Sequence, residues 1–372
     1  MKLNKKIFLI PIALISVGIS TVYAKEFSKD NISYKNFDNF KKTLCKSSYK
    51  YGDITFRDSK TVNGHEIYYY CEFAEPSTAL DNVKRTYKDA VDKVKEDNNL
   101  PELTDESYKA YYEAVQNYPL SEEKIYKLNI FLDTYSNTMK NNEIDEVIDS
   151  LTNKSETNSK KSELLEELNM MLPTYNDNIT NDYAISTYAA QHFNIKNGVA
   201  YAEKYAWSAN TNQYHYIGEW KDCTNFVSQI LEQGGYNQVG GFSKYSGWWY
   251  NKAKLTYSHS WSSAQNFMKY WGHSSLYRNF YLFSKDIRVG DIIAADYNDD
   301  GGFNHMGFVT YKANSEGTHT INYNGSTTTQ VYYDFIVAQH SKEYNSWVSE
   351  DVNGWENGVL DNWSYAYFRP SN

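Results

Sequence analysis

The sequence predicts an α+β protein, in which a mainly helical N-terminal module precedes a C-terminal domain of helix packed on antiparallel sheet. Two observations carry this. The composition steps near position 200: all nine tryptophans lie at or beyond Trp207, and only four of the 19 glycines precede residue 200. The periodicity steps as well, from apolar residues at three- and four-residue intervals to short runs of strand-forming residues. A chain of 372 residues has room for roughly two domains. The expected boundaries are 1–24 for a leader, 25–175 for the accessory module and 180–372 for the second domain.

The leader comes first. Lys2, Lys5 and Lys6 precede an apolar stretch from Ile7 to Val22, and Val22-Tyr23-Ala24 supplies small residues before Lys25-Glu26. That order is the basic, apolar and cleavage-site sequence of a secretory signal peptide. A stretch of about 16 apolar residues is short for a membrane span. The expected location is therefore secreted, extracellular or cell-wall associated, with no membrane attachment after cleavage.

In the module, a helix is expected over Phe37–Cys45. Thr55-Phe56 and Ile67–Tyr70 flank the Asn63-Gly64 turn signal, which reads as a hairpin. From Thr78, the residues Leu80, Val83, Tyr87, Ala90, Val91 and Val94 form one apolar helical face. Further helices are expected over 105–117, 122–149 and 160–171. The polar run Thr152–Ser162 reads as an exposed loop or linker. No chemistry stands out in this half, and His65 beside the turn reads as a surface residue.

The second domain opens with an expected helix over Tyr183–Trp207. Strands follow over Asp291–Asp296, Met306–Lys312, Thr318–Asn322, Gln330–Tyr333 and Phe335–Gln339. Helix then sheet is the α+β layout, with helices covering a sheet face.

Charge and cysteines narrow the function. Losing Lys2, Lys5 and Lys6 with the leader takes the formal charge from −9 to about −12. An acidic chain with no basic run is a poor nucleic-acid partner. Cys45, Cys71 and Cys223 remain, an odd number for an exported chain. Cys45 and Cys71 are near enough in sequence to pair, which leaves Cys223 to be explained.

Cys223 lies in Asp222-Cys223-Thr224-Asn225-Phe226-Val227-Ser228-Gln229-Ile230-Leu231. Val227, Ile230 and Leu231 fit one helical face, Gly234-Gly235 is a natural stop, and Asp222 suits the N-cap. Cys223 then sits in the first turn, where free amides and the helix dipole favour a thiolate. A thiolate is the nucleophile that acyl transfer requires. The other reading is an inert buried thiol. A base must come from elsewhere. His305 follows Gly301-Gly302-Phe303-Asn304 at a strand start, and His340 ends another strand, from which it could orient His305.

These motifs resemble the putative amidase domain family, relatives of the NlpC/P60 and CHAP cysteine peptidases. The resemblance runs from Asp222–Gln229 through Gly234-Gly235, Trp248-Trp249-Tyr250, Ser260-Trp261 and Val289–Ile293. It continues into Asn304–Thr310 and Val337–Ser341, and covers about residues 180–370. It implies a papain-like fold, Cys223 as nucleophile, His305 as base and His340 as the third polar residue. Two positions depart from the family pattern: Asn304 where an Asp is expected, and Met306 in place of a small polar residue. An apparent extra hairpin over Thr318–Tyr333 leaves His319 and Asn322 open as alternatives for the third position.

Asp222, Trp220, Trp248 and Trp249 are the candidate substrate-binding residues, although aromatics at this density also pack cores. Asp296, Asn298 and Asp300 alternate before Gly301 like the first half of an EF-hand loop. The twelfth position is Gly307, not Glu, so an acidic hairpin turn is the competing reading. No cofactor is expected to be required, with calcium as the one candidate ion. Export and resemblance together imply peptidoglycan or its peptide stems as partner. A catalytically dead wall-binding module and a thiol protease or transferase acting on proteins are the alternatives.

Overall fold

The computed structural model describes residues 37–118, 122–153, 156–176, 191–217, 222–241, 243–323, 326–350, 354–361 and 363–371. The leader-like stretch and Trp220 lie outside the described residues. Among the described residues, no helix is long and apolar enough to cross a membrane.

In the N-terminal half, helix Glu123–Thr152 forms the spine. Pro76–Thr86, Lys88–Asp97, Tyr108–Val115 and Asn158–Met171 pack along it. The periodic run from Thr78 becomes two helices, because Tyr87 leaves helical geometry at φ −117° and ψ 36°. Of the expected linker, Thr152 and 158–162 are helical, Asn153, Glu156 and Thr157 are not, and 154–155 lie outside the described residues. The Thr157 side chain accepts from the Lys160 amide and caps Asn158–Met171, satisfying a free first-turn donor. The first helix stops early, at Lys41. Cys45 has a left-handed φ of 57° and is disulfide-bonded to Cys71, so the chain turns there. The hairpin forms as expected but tighter: Lys60–Val62 pairs with His65–Ile67 across Asn63-Gly64, both at positive φ.

In the C-terminal half, an antiparallel sheet has the strand order Tyr344–Trp347, Phe335–Gln339, His305–Lys312, Ile292–Asp296, Ser364–Phe368. The expected long helix before Trp207 is seen as Ile195–Tyr205, capped by the Asn194 side chain; residues 177–190 are not described. Helix Asp222–Gln233 lies against one sheet face and buries Phe226, Val227, Ile230 and Leu231 beside Met306, Phe308 and Ala338. At about 1.5–3 kcal/mol per buried side chain, these four contribute roughly 6–12 kcal/mol before entropy, as an upper bound. The expected extra hairpin is present: Gly317–Tyr323 pairs with Ser326–Tyr332 as a separate two-stranded sheet.

The other sheet face meets the long helix. One apolar cluster joins Tyr126 and Phe131 to Tyr297, Val309, Trp363 and Tyr365, so the two halves share a core. Lys127 crosses the same boundary to Asp361 at 2.6 Å, with both side chains largely buried.

Candidate functional site

Cys223 is the second residue of its helix, and it is 3% exposed. Its sulfur lies 3.6 Å from the Thr224 hydroxyl and interacts with the backbone N–H of Met306. That amide belongs to the residue after His305, so the strand start and the helix start meet at the thiol. Gly307 leaves room beside the neighbouring strand Phe335–Gln339: a Cβ on it would stand 2.5 Å from the Val337 side chain. Burial pushes the Cys223 thiol up, with the Asp222 carboxylate adding to the rise; the Thr224 and Met306 bonds oppose it.

His305 opens its strand, and it is 5% exposed. Burial lowers its imidazole to about 4, against a hydrogen bond to the Gln339 side chain that favours the charged ring. Its Nε2 is buried without a hydrogen-bond partner. Burial thus works against the thiolate that the helix-start position favours. Both shifts favour the neutral forms of the thiol and the imidazole.

His340 is fully buried, with Nδ1 on the Asp222 carboxylate and Nε2 2.8 Å from the Tyr205 carbonyl. Its ring stacks on Phe226 at 3.9 Å. Both nitrogens are engaged, so His340 has none left for His305; it ties helix Asp222–Gln233 to the sheet. Gln339, one residue earlier and on the opposite sheet face, holds the His305 ring instead. Its Oε1 also accepts from Trp355 Nε1 at 2.6 Å, and its Nε2 donates to the Lys342 carbonyl. Strand alternation was the available signal: His305 and Gln339 share one face, and His340 faces the helix. His319 and Asn322 lie on the separate hairpin, where His319 stacks on Tyr332 and Asn322 accepts from Thr327.

Of the candidate substrate-binding residues, Asp222, Trp248 and Trp249 lie among the described residues. Asp222 is fully buried and serves the scaffold: Oδ1 accepts from the Ile217 amide at 3.2 Å and the Asn225 side chain at 2.6 Å, while Oδ2 meets His340. Trp248 is fully buried and donates to Ser228 Oγ, which places it in the core. Trp249 is half-buried, and its Nε1 donates to the Ser246 carbonyl. Sequence reasoning missed Tyr297, a buried phenol on the His305 side of the sheet that interacts electrostatically with Cys223. Asn304 braces the turn before His305, since its Oδ1 accepts from the Tyr297 amide at 2.7 Å, which an Asp oxygen would do equally.

The EF-hand-like residues are committed elsewhere. Asp296 accepts from the amides of Asp300 and Gly301, Asn298 donates to Asp133 and Thr134, and Asp300 accepts from Gly302 and Asn137. This is a buried acidic turn under the long helix. Among the described residues no group of three or more His, Cys, Asp or Glu side chains is arranged to hold a metal ion.

Comparison with known proteins agrees with the motif resemblance. Residues 192–349 match the family model described as the putative amidase domain. The chain is 34% identical over 116 residues to the uncharacterized protein YhbB of Bacillus subtilis (strain 168), an alignment covering 31% of this chain and 36% of that relative. It is 27% identical over 164 residues to the uncharacterized protein YjcM of the same organism, covering 42% of this chain and 37% of the relative. The chain thus spans little more than a third of the length of these relatives. No solved structure matches it significantly. At a general level, the domain match points to amide hydrolysis.

Proposed function

We propose that this chain, whose amidase-domain segment carries Cys223 and His305, is an exported cysteine hydrolase that cleaves amide bonds in peptidoglycan. The observation that carries the reading is the meeting of a helix-start thiol with the strand start that bears His305, whose ring is held by Gln339. In the mechanism, the Cys223 thiol gives its proton to His305 as sulfur attacks the amide carbonyl. The first-turn amides of helix Asp222–Gln233 donate to the developing oxyanion. His305 returns the proton to the leaving amine, and water resolves the thioester. Gln339 is a positioning residue, keeping the imidazole aimed and favouring its transient positive charge.

We place this chemistry on a papain-like arrangement, in agreement with the helix-borne cysteine and antiparallel sheet. Export is supported by the leader-like N-terminus and by the Cys45–Cys71 disulfide, a bond that persists in oxidising compartments. Peptidoglycan follows from export taken with the amidase family. The test is release of soluble fragments from purified walls by wild type, Cys223→Ala and His305→Ala. Defined fragments from wild type alone are expected, and their masses would name the bond. Equal inertness of all three would remove peptidoglycan as substrate; cleavage of unfolded protein instead would favour a protease.

A further inference from the structure

The loop from Asp296 to Asn304 connects the end of one central strand to His305, and so sets where the base sits. It is held largely from the N-terminal half of the chain. On helix Glu123–Thr152, Asp133, Thr134, Asn137 and Lys140 form a polar row at helical spacing, pressed against the loop in an otherwise apolar boundary. Asn137 Nδ2 donates to Asp300 Oδ2 at 2.6 Å and to the Cys71 carbonyl at 2.9 Å, while Lys140 Nζ holds Asn137 Oδ1 at 2.9 Å. Asp300 passes the restraint on: its Oδ1 accepts from the Gly302 amide at 2.9 Å, three residues before His305.

Other bonds converge on the same turn. The Cys45 amide donates to the Asp299 carbonyl, and the Thr174 amide donates to the Gly301 carbonyl at 2.8 Å. Gly301 has a left-handed φ of 88°, and a Cβ there would stand 2.7 Å from the Tyr175 ring. A polar row of this kind, buried at Asp133, Thr134 and Asn137, costs desolvation and gives little net stability, but fixes one geometry.

We propose that Asn137 and Asp300 are positioning residues for His305, so that the long helix of the N-terminal half is part of the machinery that aims the base. The inference rests on the Cys223–His305 reading. It assigns a catalytic consequence to a segment that the amidase-domain match does not cover.

Cys223 is the free cysteine among the described residues, and the other two cysteines of the sequence are joined, so iodoacetamide reports on it alone. The readout is the ratio of its alkylation rate at neutral pH in a given background to that of the same background with His305→Ala. Asn137→Leu and the isosteric Asp300→Asn are expected to lower this ratio about tenfold, as a small misplacement of a reacting group does. Asn141→Leu is the control. Asn141 bonds Tyr70 and Glu72 from the same helix and none of the loop, so it should keep the ratio within about twofold whatever it costs in Tm. Retention of the ratio in both Asn137→Leu and Asp300→Asn would overturn the proposal, as would an equal loss in Asn141→Leu. A wild-type ratio of one is a different result: it would remove the Cys–His reading itself.

Discussion

Replacing Gln339 with Glu places a carboxylate where the neutral amide now holds the His305 ring. The change conserves shape and tests the third position directly. Burial keeps the imidazole at about 4, and the Gln339 bond only partly offsets it. A unit charge about 4 Å away, at an effective dielectric near 20, interacts by about 4 kcal/mol with an imidazolium. At about 1.4 kcal/mol per pH unit, that is as much as roughly three units. Desolvation of the new carboxylate takes back part of it, so an upward shift of about one to three units is expected. The assay is an NMR titration of the His305 ring in a Cys223→Ala background, which removes the thiol as a coupled group. With Gln339 in place the midpoint should lie well below the ordinary histidine value, and Gln339→Glu should bring it towards neutrality. An unchanged midpoint would mean that the side chain at this position does not hold the ring, and the assignment would fall.

Four shorter predictions follow from the same geometry. His305 stays neutral in the fold down to about pH 4, whereas the unfolded chain takes up the proton near 6.5. Its contribution is therefore complete above pH 6.5 and lost as pH falls towards 4, by about 3 kcal/mol; denaturant titrations should show His305→Leu lacking that component. Burial raises the Cys223 thiol, so its alkylation in His305→Ala should climb only above the ordinary thiol range; a plateau near neutral pH would indicate a preformed thiolate. Opening the Cys45–Cys71 link with paired Ser substitutions frees a loop of 26-residue separation and should cost about 3–4 kcal/mol in chemical unfolding. Asp222→Ala strips bonds from Ile217, Asn225 and His340 in a fully buried site. A loss of about 3–5 kcal/mol is expected, with Tm falling even when Cys223 is also replaced.

Much of this was legible in the sequence, for identifiable reasons. The helix bearing Cys223 announced itself through Val227, Ile230 and Leu231 on one face and the glycine stop, and it forms over Asp222–Gln233. The strand bearing His305 and the strand Phe335–Gln339 are short, apolar and bounded by turn residues, which is what periodicity detects. The edge strands Tyr344–Trp347 and Ser364–Phe368 escaped notice because each is short and lies among polar residues and turns. Roles were harder to read than elements. His340 carries the more familiar catalytic side chain, yet it faces the helix, and one step along the strand Gln339 faces His305. Asp222 and Trp248 resemble site residues by position, but whether a polar or aromatic side chain meets substrate or scaffold depends on burial, and both are fully enclosed. The acidic turn at Asp296–Asp300 looked like half an ion site because its partners, Asp133, Thr134 and Asn137, lie some 160 residues earlier. The shifts of Cys223 and His305 towards their neutral forms have the same origin. The helix dipole is local and visible in sequence, whereas the desolvation that outweighs it is supplied by the whole fold.

The central claim is that Cys223 carries the acyl group, and intact-mass measurement tests it most directly. Enzyme would be mixed with purified peptidoglycan, quenched in acid within seconds and weighed. The account predicts an adduct on wild type with the mass of an acyl fragment, localised to Cys223 by peptide mapping and absent from Cys223→Ala. Undiminished release of wall fragments by Cys223→Ala, with no adduct on wild type, would contradict it.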